Sequence, residues 1–143
     1  MKLSTKGKYG LRAIIDLARF SEKEPVSIGC IATRQKLSER YLEQLFALLK
    51  KAGLVKSIRG ASGGYVLARD ASEISVGDVL RALEGNLEPV RCAAFYSEEG
   101  CMASDECVTK YVWLLLRRST SLYRTANLFM NQTFLQKEFL FMT

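Results

Sequence analysis

Three cysteines, Cys92, Cys101 and Cys107, fall within sixteen residues at C-x8-C-x5-C spacing, and the chain has only one other, Cys30. Acidic Glu98, Glu99, Asp105 and Glu106 lie between them. Nearby carboxylates raise thiol pKa values and disfavour free thiolates, so these are poor candidates for simple reactive thiols. Metal coordination reverses that, because a bound ion deprotonates its thiol ligands outright. Structural zinc prefers four ligands in paired C-x2-4-C spacings, and neither a pair nor an obvious fourth ligand stands here. Iron in iron–sulfur clusters is held by cysteine, with other residues occasionally substituting. The spacing leaves three readings open: an iron–sulfur cluster, a zinc or thiol-redox site, and unligated cysteines. Cys30 lies between Ile28 and Ile31 and is expected to pack as a small core hydrophobe, outside the site.

The absence of histidine removes Ser-His-Asp and Cys-His catalysis and Cys2His2 zinc sites. An enzyme is therefore not expected. At 143 residues, 48% hydrophobic and 25% charged, the chain suits one compact domain with an extension. No apolar run approaches a membrane span, and the basic start lacks the apolar stretch of a signal peptide. A cytoplasmic protein is the expectation. Charge is unevenly spread: residues 1–60 hold 13 Lys and Arg against 5 Asp and Glu, whereas residues 61–143 hold 8 against 10. A basic half joined to a near-neutral half points the first half toward a polyanion.

The elements that would position these groups can be read in order. Residues 5–20 form a helix capped by Ser4 or Thr5, with Leu11, Ile14, Ile15, Leu17 and Ala18 as its apolar stripe. Lys2, Lys6, Lys8 and Arg12 crowd its start. Cations there oppose the helix macrodipole, a conflict that an external phosphate would relieve. Ser27 caps a second helix running to about Lys36. Ser38 caps a third running to Ala52, with Glu39 in its first turn and Gly53 ending it in a left-handed conformation. Its buried side is Tyr41, Leu42, Leu45, Phe46, Leu48 and Leu49. Two short helices joined by a tight turn make a helix-turn-helix, whose second helix enters the major groove of DNA. Ser38, Glu39, Arg40, Glu43 and Gln44 on its first turns are the candidate base readers.

Residues 54–58 and 65–67 are β-prone runs around a glycine-rich turn and form a hairpin wing. Arg59 at its tip is suited to a narrow minor groove, and Gly60, Gly63 and Gly64 give the backbone room to approach phosphate. Ser75 and Asp78 form a capping box for a short helix that ends at Gly85. Residues 108–131 read as one amphipathic helix, about 36 Å long at 1.5 Å per residue, too long for a body this small to cover. It is expected to pair with a second copy. The fold class is mainly α with a small β-hairpin: a winged helix-turn-helix over residues 1–85, a cysteine-bearing loop over 86–107, and a dimerisation helix and tail over 108–143.

The run MKLSTKGKYGLRA at residues 1–13, YLEQLF at 41–46, GLV at 53–55, RGASGGY at 59–65 and the three cysteines before Val112 and Trp113 carry a resemblance over nearly the whole chain. It resembles the bacterial iron–sulfur transcription regulators of the IscR, NsrR and RirA type. The resemblance implies a winged-helix homodimer with crossed long helices and a 2Fe–2S or 4Fe–4S cluster on Cys92, Cys101 and Cys107. It also implies a transcription regulator, mostly a repressor, whose operator binding follows cluster occupancy or oxidation in response to cluster supply, iron, oxygen or nitric oxide. The expected DNA-binding residues of this chain are Lys2, Ser38, Glu39, Arg40, Tyr41, Glu43, Gln44, Arg59 and Gly60. Two half-sites would lie about 34 Å apart on a two-fold symmetric operator.

The chain departs from its relatives at two ligand positions: Lys110 stands where IscR-like members place a histidine, and Lys8 where NsrR-like members can use an aspartate. The fourth ligand is open among Glu98, Glu99, Asp105, Glu106, a thiol or water. Residues 133–137 also depart from the Thr-Leu-rich motif usual there. Two other functions stand beside this one: a cluster-free regulator sensing thiol oxidation, and a metal- or cluster-carrying module whose winged helix binds proteins.

Overall fold

The computed structural model describes residues 3–87 together with residues 109, 112, 115 and 116. Its elements run α1 (Thr5–Phe20), α2 (Ile28–Gln35), α3 (Glu39–Lys51), β1 (Val55–Ile58), β2 (Gly64–Leu67), a single 3-10 turn (Ala71–Glu73) and α4 (Val76–Glu84). This is the expected mainly α fold with one hairpin. The cysteine loop and most of the helix expected over residues 108–131 lie outside the described residues.

Each of α1–α4 starts on a serine whose side chain accepts from a backbone N–H three residues on: Ser4 from Gly7, Ser27 from Cys30, Ser38 from Tyr41, Ser75 from Asp78. Such caps satisfy donors that the helix cannot bond internally. At Ser75 the box is reciprocal, since its own N–H donates to Asp78 at 3.2 Å. The ends are also local. Lys36 closes α2 in the left-handed region at φ 54°, and Gly53 follows α3 at φ 73°, where a side chain would be strained.

The core lies where the four helices and the hairpin meet. Ile14 and Leu17 of α1, Ile31 of α2, Leu42, Phe46 and Leu49 of α3, and Ile74 and Val79 before and in α4 are completely buried. Tyr41 and Leu48, expected on the buried side of α3, pack against this core half-buried. β1 and β2 pair antiparallel from Val55 opposite Leu67 to Ile58 opposite Gly64. Val26, in the link from α1 to α2, adds a bridge to Tyr65, with N–H···O bonds of 2.9 and 2.8 Å. No local pattern in the sequence signals this extra rung.

Cys30 is a correction. It is exposed, not core. Ile28, Ile31 and Ala32 occupy one face of α2 at i, i+3, i+4 spacing, which turns position 30 outward. Adjacency to isoleucines in sequence did not place it beside them in space.

Candidate nucleic-acid interface

The first turn of α3 is set by Ser38, whose Oγ accepts from Tyr41 N–H at 3.3 Å. Burial of Leu42, Leu45, Phe46 and Leu49 then fixes the rotation of the helix. Arg40, Glu43 and Gln44 consequently share the opposite, exposed face, at the i, i+3, i+4 spacing of one stripe. Ser38 and Glu39 are exposed at its start. The carboxylate of Glu39 leans over Gly29 in the first turn of α2, where an added Cβ would meet it at 3.4 Å. That turn has no acidic residue of its own, so Glu39 supplies the negative charge favoured at a helix N-terminus. Tyr41 is half-buried, edge-on to Tyr9 of α1 with ring centroids 6.3 Å apart.

Arg59 and Gly60 are exposed at the tip of the hairpin. Gly60 has φ 122° and open space around its Cα, and its carbonyl accepts from Gly63 N–H at 3.0 Å. Gly63 and Gly64 serve the fold itself: a Cβ on Gly63 would strike the Ile58 carbonyl, and one on Gly64 would strike the Val26 backbone. The hairpin is fastened to α3 by Phe46 against Tyr65, with centroids 4.8 Å apart, and by Lys50 Nζ donating to Ser57 Oγ at 2.7 Å. The expected reading helix and the expected wing are therefore packed directly against each other.

Behind them, a polar network that the sequence reading missed joins α1 to α2. Asp16, 5% exposed, accepts from Arg34 Nε at 3.0 and 3.1 Å and from its terminal nitrogen at 2.6 Å. It also accepts from Gln35 Nε2 at 2.7 Å. The hydrogen bonds and charge of Asp16 raise the Arg34 pKa further above its ordinary value, and the guanidinium stacks 4.1 Å over the Phe20 ring centroid. A charge this deep is tolerated only when paired and hydrogen-bonded.

The donors at the basic start of α1 are satisfied within the chain. Glu84, at the end of α4, accepts from Gly7 N–H at 3.0 Å and Ser4 N–H at 3.1 Å, and from the Ser4 hydroxyl. No external phosphate is needed to satisfy those donors. Lys2, Cys92, Cys101 and Cys107 lie outside the described residues, as do Glu98, Glu99, Asp105, Glu106 and Lys110. Among the described residues no group of three or more Cys, Asp or Glu side chains is placed to hold a metal ion. No helix among them is long and apolar enough to cross a membrane.

Residues 3–123 match the family model Rrf2, described as an iron-dependent transcriptional regulator. The chain is 45% identical over 113 residues to the HTH-type transcriptional regulator IscR of Serratia proteamaculans, covering 79% of this chain and 67% of that protein. The Escherichia coli IscR is 44% identical over the same length. Among solved structures, IscR of T. potens matches with a TM-score of 0.69 and 46% identity over 90% of this chain and 83% of that one. CymR, the global cysteine regulator of B. subtilis, matches with a TM-score of 0.69 and 39% identity over 90% and 93%. The exposed stripe of α3 and the hairpin fastened beside it are thus set in a winged-helix scaffold shared with transcription regulators. The chain belongs to the Rrf2 family and is a DNA-binding transcriptional regulator, not an enzyme.

Proposed function

We propose that this regulator reads its operator with α3 in the major groove and the hairpin tip in the adjacent minor groove, under control of an iron–sulfur cluster on Cys92, Cys101 and Cys107. The observation that carries the DNA half is the single stripe of Arg40, Glu43 and Gln44, exposed on a helix whose other face is core. Arg can bond guanine edges bidentately, Gln adenine, and Glu can accept from cytosine N4. Ser38, Glu39, Tyr41 and Gly60 shape the approach, and Arg59 and Lys2 add cations to the strand contacts. The 1–85 unit carries this surface.

The cofactor half rests on the chemistry of the donor set. Three cysteines within residues 92–107 form a thiolate set that suits cluster iron, and the relation to an iron-dependent regulator family supports it. A cluster bound there would supply a reversible, iron- and redox-dependent tie across the 86–107 segment. That segment leaves the body next to Glu84, whose carboxylate closes the N-terminus of α1. The cluster is of the 2Fe–2S or 4Fe–4S type and takes its fourth ligand from Glu98, Glu99, Asp105, Glu106, a thiol or water, because lysines stand at positions 8 and 110.

The chain acts as a homodimer in the cytoplasm on a two-fold symmetric operator, mostly as a repressor. Val112 and Leu116, one helical turn apart, are 52% and 43% exposed in the single chain, which suits a helix covered by its copy in the 108–143 segment. A second reading, control by thiol oxidation without a cluster, draws on the likeness to Staphylococcus aureus CymR in an oxidized form, 39% identical with a TM-score of 0.67.

Selection from random duplexes tests the DNA half. Wild type should enrich one palindromic sequence, and Gln44→Ala or Glu43→Ala should relax it at single positions, at about 1–3 kcal/mol per lost base contact. Enrichment of no sequence would favour a protein-binding module, and variants that select as wild type does would contradict the assignment of Glu43 and Gln44 as base readers.

A further inference from the structure

α1 carries two cations, Lys8 and Arg12, that neither the core nor the expected base contacts use. Tyr9 packs edge-on against Tyr41, at 85° between ring planes, and Tyr41 belongs to the first turn of α3. On the same Tyr9 ring sit two cations, Lys8 Nζ and the Arg12 guanidinium, each 5.4 Å from its centroid. Both Lys8 and Arg12 are exposed. Arg12 is also held from behind: its Nε donates to Gln35 Oε1 at 3.2 Å and its terminal nitrogen to the Gln35 carbonyl at 3.3 Å. Those two bonds fix the plane of the guanidinium and use two of its five N–H donors. Asp16, the acid in this network, is taken up by Arg34 and Gln35, and among the described residues neither Lys8 nor Arg12 has an ion-pair partner.

We infer that Lys8 and Arg12, positioned by Tyr9, form a clamp for a DNA backbone phosphate beside the entering end of α3. The inference rests on the reading of α3 as the major-groove helix. With its side chains, a helix about 10–12 Å across fills a groove about 12 Å wide. Groups packed against the side of its first turn therefore meet the strand that borders the groove. A pre-fixed guanidinium paired with an ammonium suits a phosphate, the first by directed N–H groups and the second as a point charge. The clamp carries no base preference. It adds affinity and orientation to a recognition face that itself bears Glu39 and Glu43.

Binding of the full chain to a fluorescent duplex, measured at several salt concentrations, tests this. The duplex is the one that wild type selects from random sequences, with a scrambled duplex beside it. Each lost phosphate contact lowers the slope of log K against log salt by about 0.9. Lys8→Ala should therefore lose affinity on both duplexes, and a fourfold rise in salt should weaken its binding about 3.5-fold less than wild type. Arg12→Ala should show the same, and the double variant about twice the slope change. Lys8 is exposed, so an unchanged melting temperature for Lys8→Ala separates the effect from folding even where Arg12→Ala is destabilised. Wild-type slopes in Lys8→Ala and the double variant, with affinity still lost in Arg40→Ala or Gln44→Ala, would overturn the clamp and leave the α3 reading standing. Wild-type binding by Arg40→Ala, Gln44→Ala and Arg59→Ala would instead remove the α3 reading on which the clamp rests.

Discussion

Glu84 closes the N-terminus of α1 from the far end of the domain, its carboxylate 3.0 Å from the Gly7 N–H across 77 residues of sequence. The same oxygen takes the Ser4 N–H at 3.1 Å. A carboxylate there adds a second acceptor for Gly7 N–H beside Ser4 Oγ and complements the helix dipole. Glu84→Ala should cost about 1–2 kcal/mol, and Glu84→Gln, which keeps an acceptor oxygen without the charge, should cost less. Urea unfolding of the two variants checks this. Wild-type stability in Glu84→Ala would mean that the contact contributes nothing.

The Asp16–Arg34 pair is asymmetric, with side chains 3% and 33% exposed. Removal of one partner from a buried pair typically costs about 3–5 kcal/mol, because the other is left buried and charged. Arg34→Ala strands the deep carboxylate, whereas Asp16→Ala leaves an arginine that can turn toward water. Arg34→Ala should therefore be the more destabilising. Chemical denaturation of both single variants and the double variant gives the order and the coupling. The reverse order would show that Gln35 alone satisfies Asp16.

These two contacts mark the limit of what the sequence conveys. Ser27, Ser38 and Ser75 were legible as caps because each bonds a residue three positions on, within reach of a local pattern. The first cap was narrowed to Ser4 or Thr5 in the same way. The apolar stripes of α1 and α3 were legible from helical period. Glu84 with Gly7, Arg34 with Asp16, and Val26 with Tyr65 pair groups far apart in the chain, and no local periodicity encodes which acid meets which donor. Cys30 shows the converse: its isoleucine neighbours in sequence lie on the other face of an eight-residue helix. The candidate base readers were legible because the N-cap and the apolar stripe together fix which side of α3 remains exposed.

Asp78 gives a pH signature. Burial pushes its carboxyl up, but hydrogen bonds from Ser75 and the charge and hydrogen bond of Arg81 outweigh that and hold it below the usual carboxylate range. A lowered folded pKa stabilises the fold above the unfolded value of about 3.9, and that stabilisation is lost as pH falls through the folded value. The stability gap between wild type and Asp78→Asn should thus be full at pH 7 and shrink below about pH 4. Urea midpoints at a series of pH values check it. A gap independent of pH would contradict the assignment.

Gly64 is where the hairpin meets the α1–α2 link most closely. A Cβ there would overlap the Val26 backbone, at 2.9 Å from Ser27 N. Gly64→Ala should open the Val26–Tyr65 bridge and loosen the Phe46–Tyr65 contact, at a cost of about 1–3 kcal/mol. Hydrogen exchange at the Tyr65 amide, which donates to the Val26 carbonyl at 2.8 Å, should quicken well before exchange in α3. Unchanged protection at Tyr65 would show that the link yields without breaking.

The central claim joins the three cysteines to operator binding, and one paired measurement tests it. Wild type and Cys101→Ala are purified without oxygen, assayed for iron, sulfide and visible absorption, and titrated with the selected duplex in the same preparations. The account predicts a coloured wild type with stoichiometric iron and sulfide, a bleached Cys101→Ala, and operator affinities that differ between the two. A wild type that stays colourless and iron-free after reconstitution would contradict it and leave the cysteines as thiol sensors on an otherwise intact winged helix.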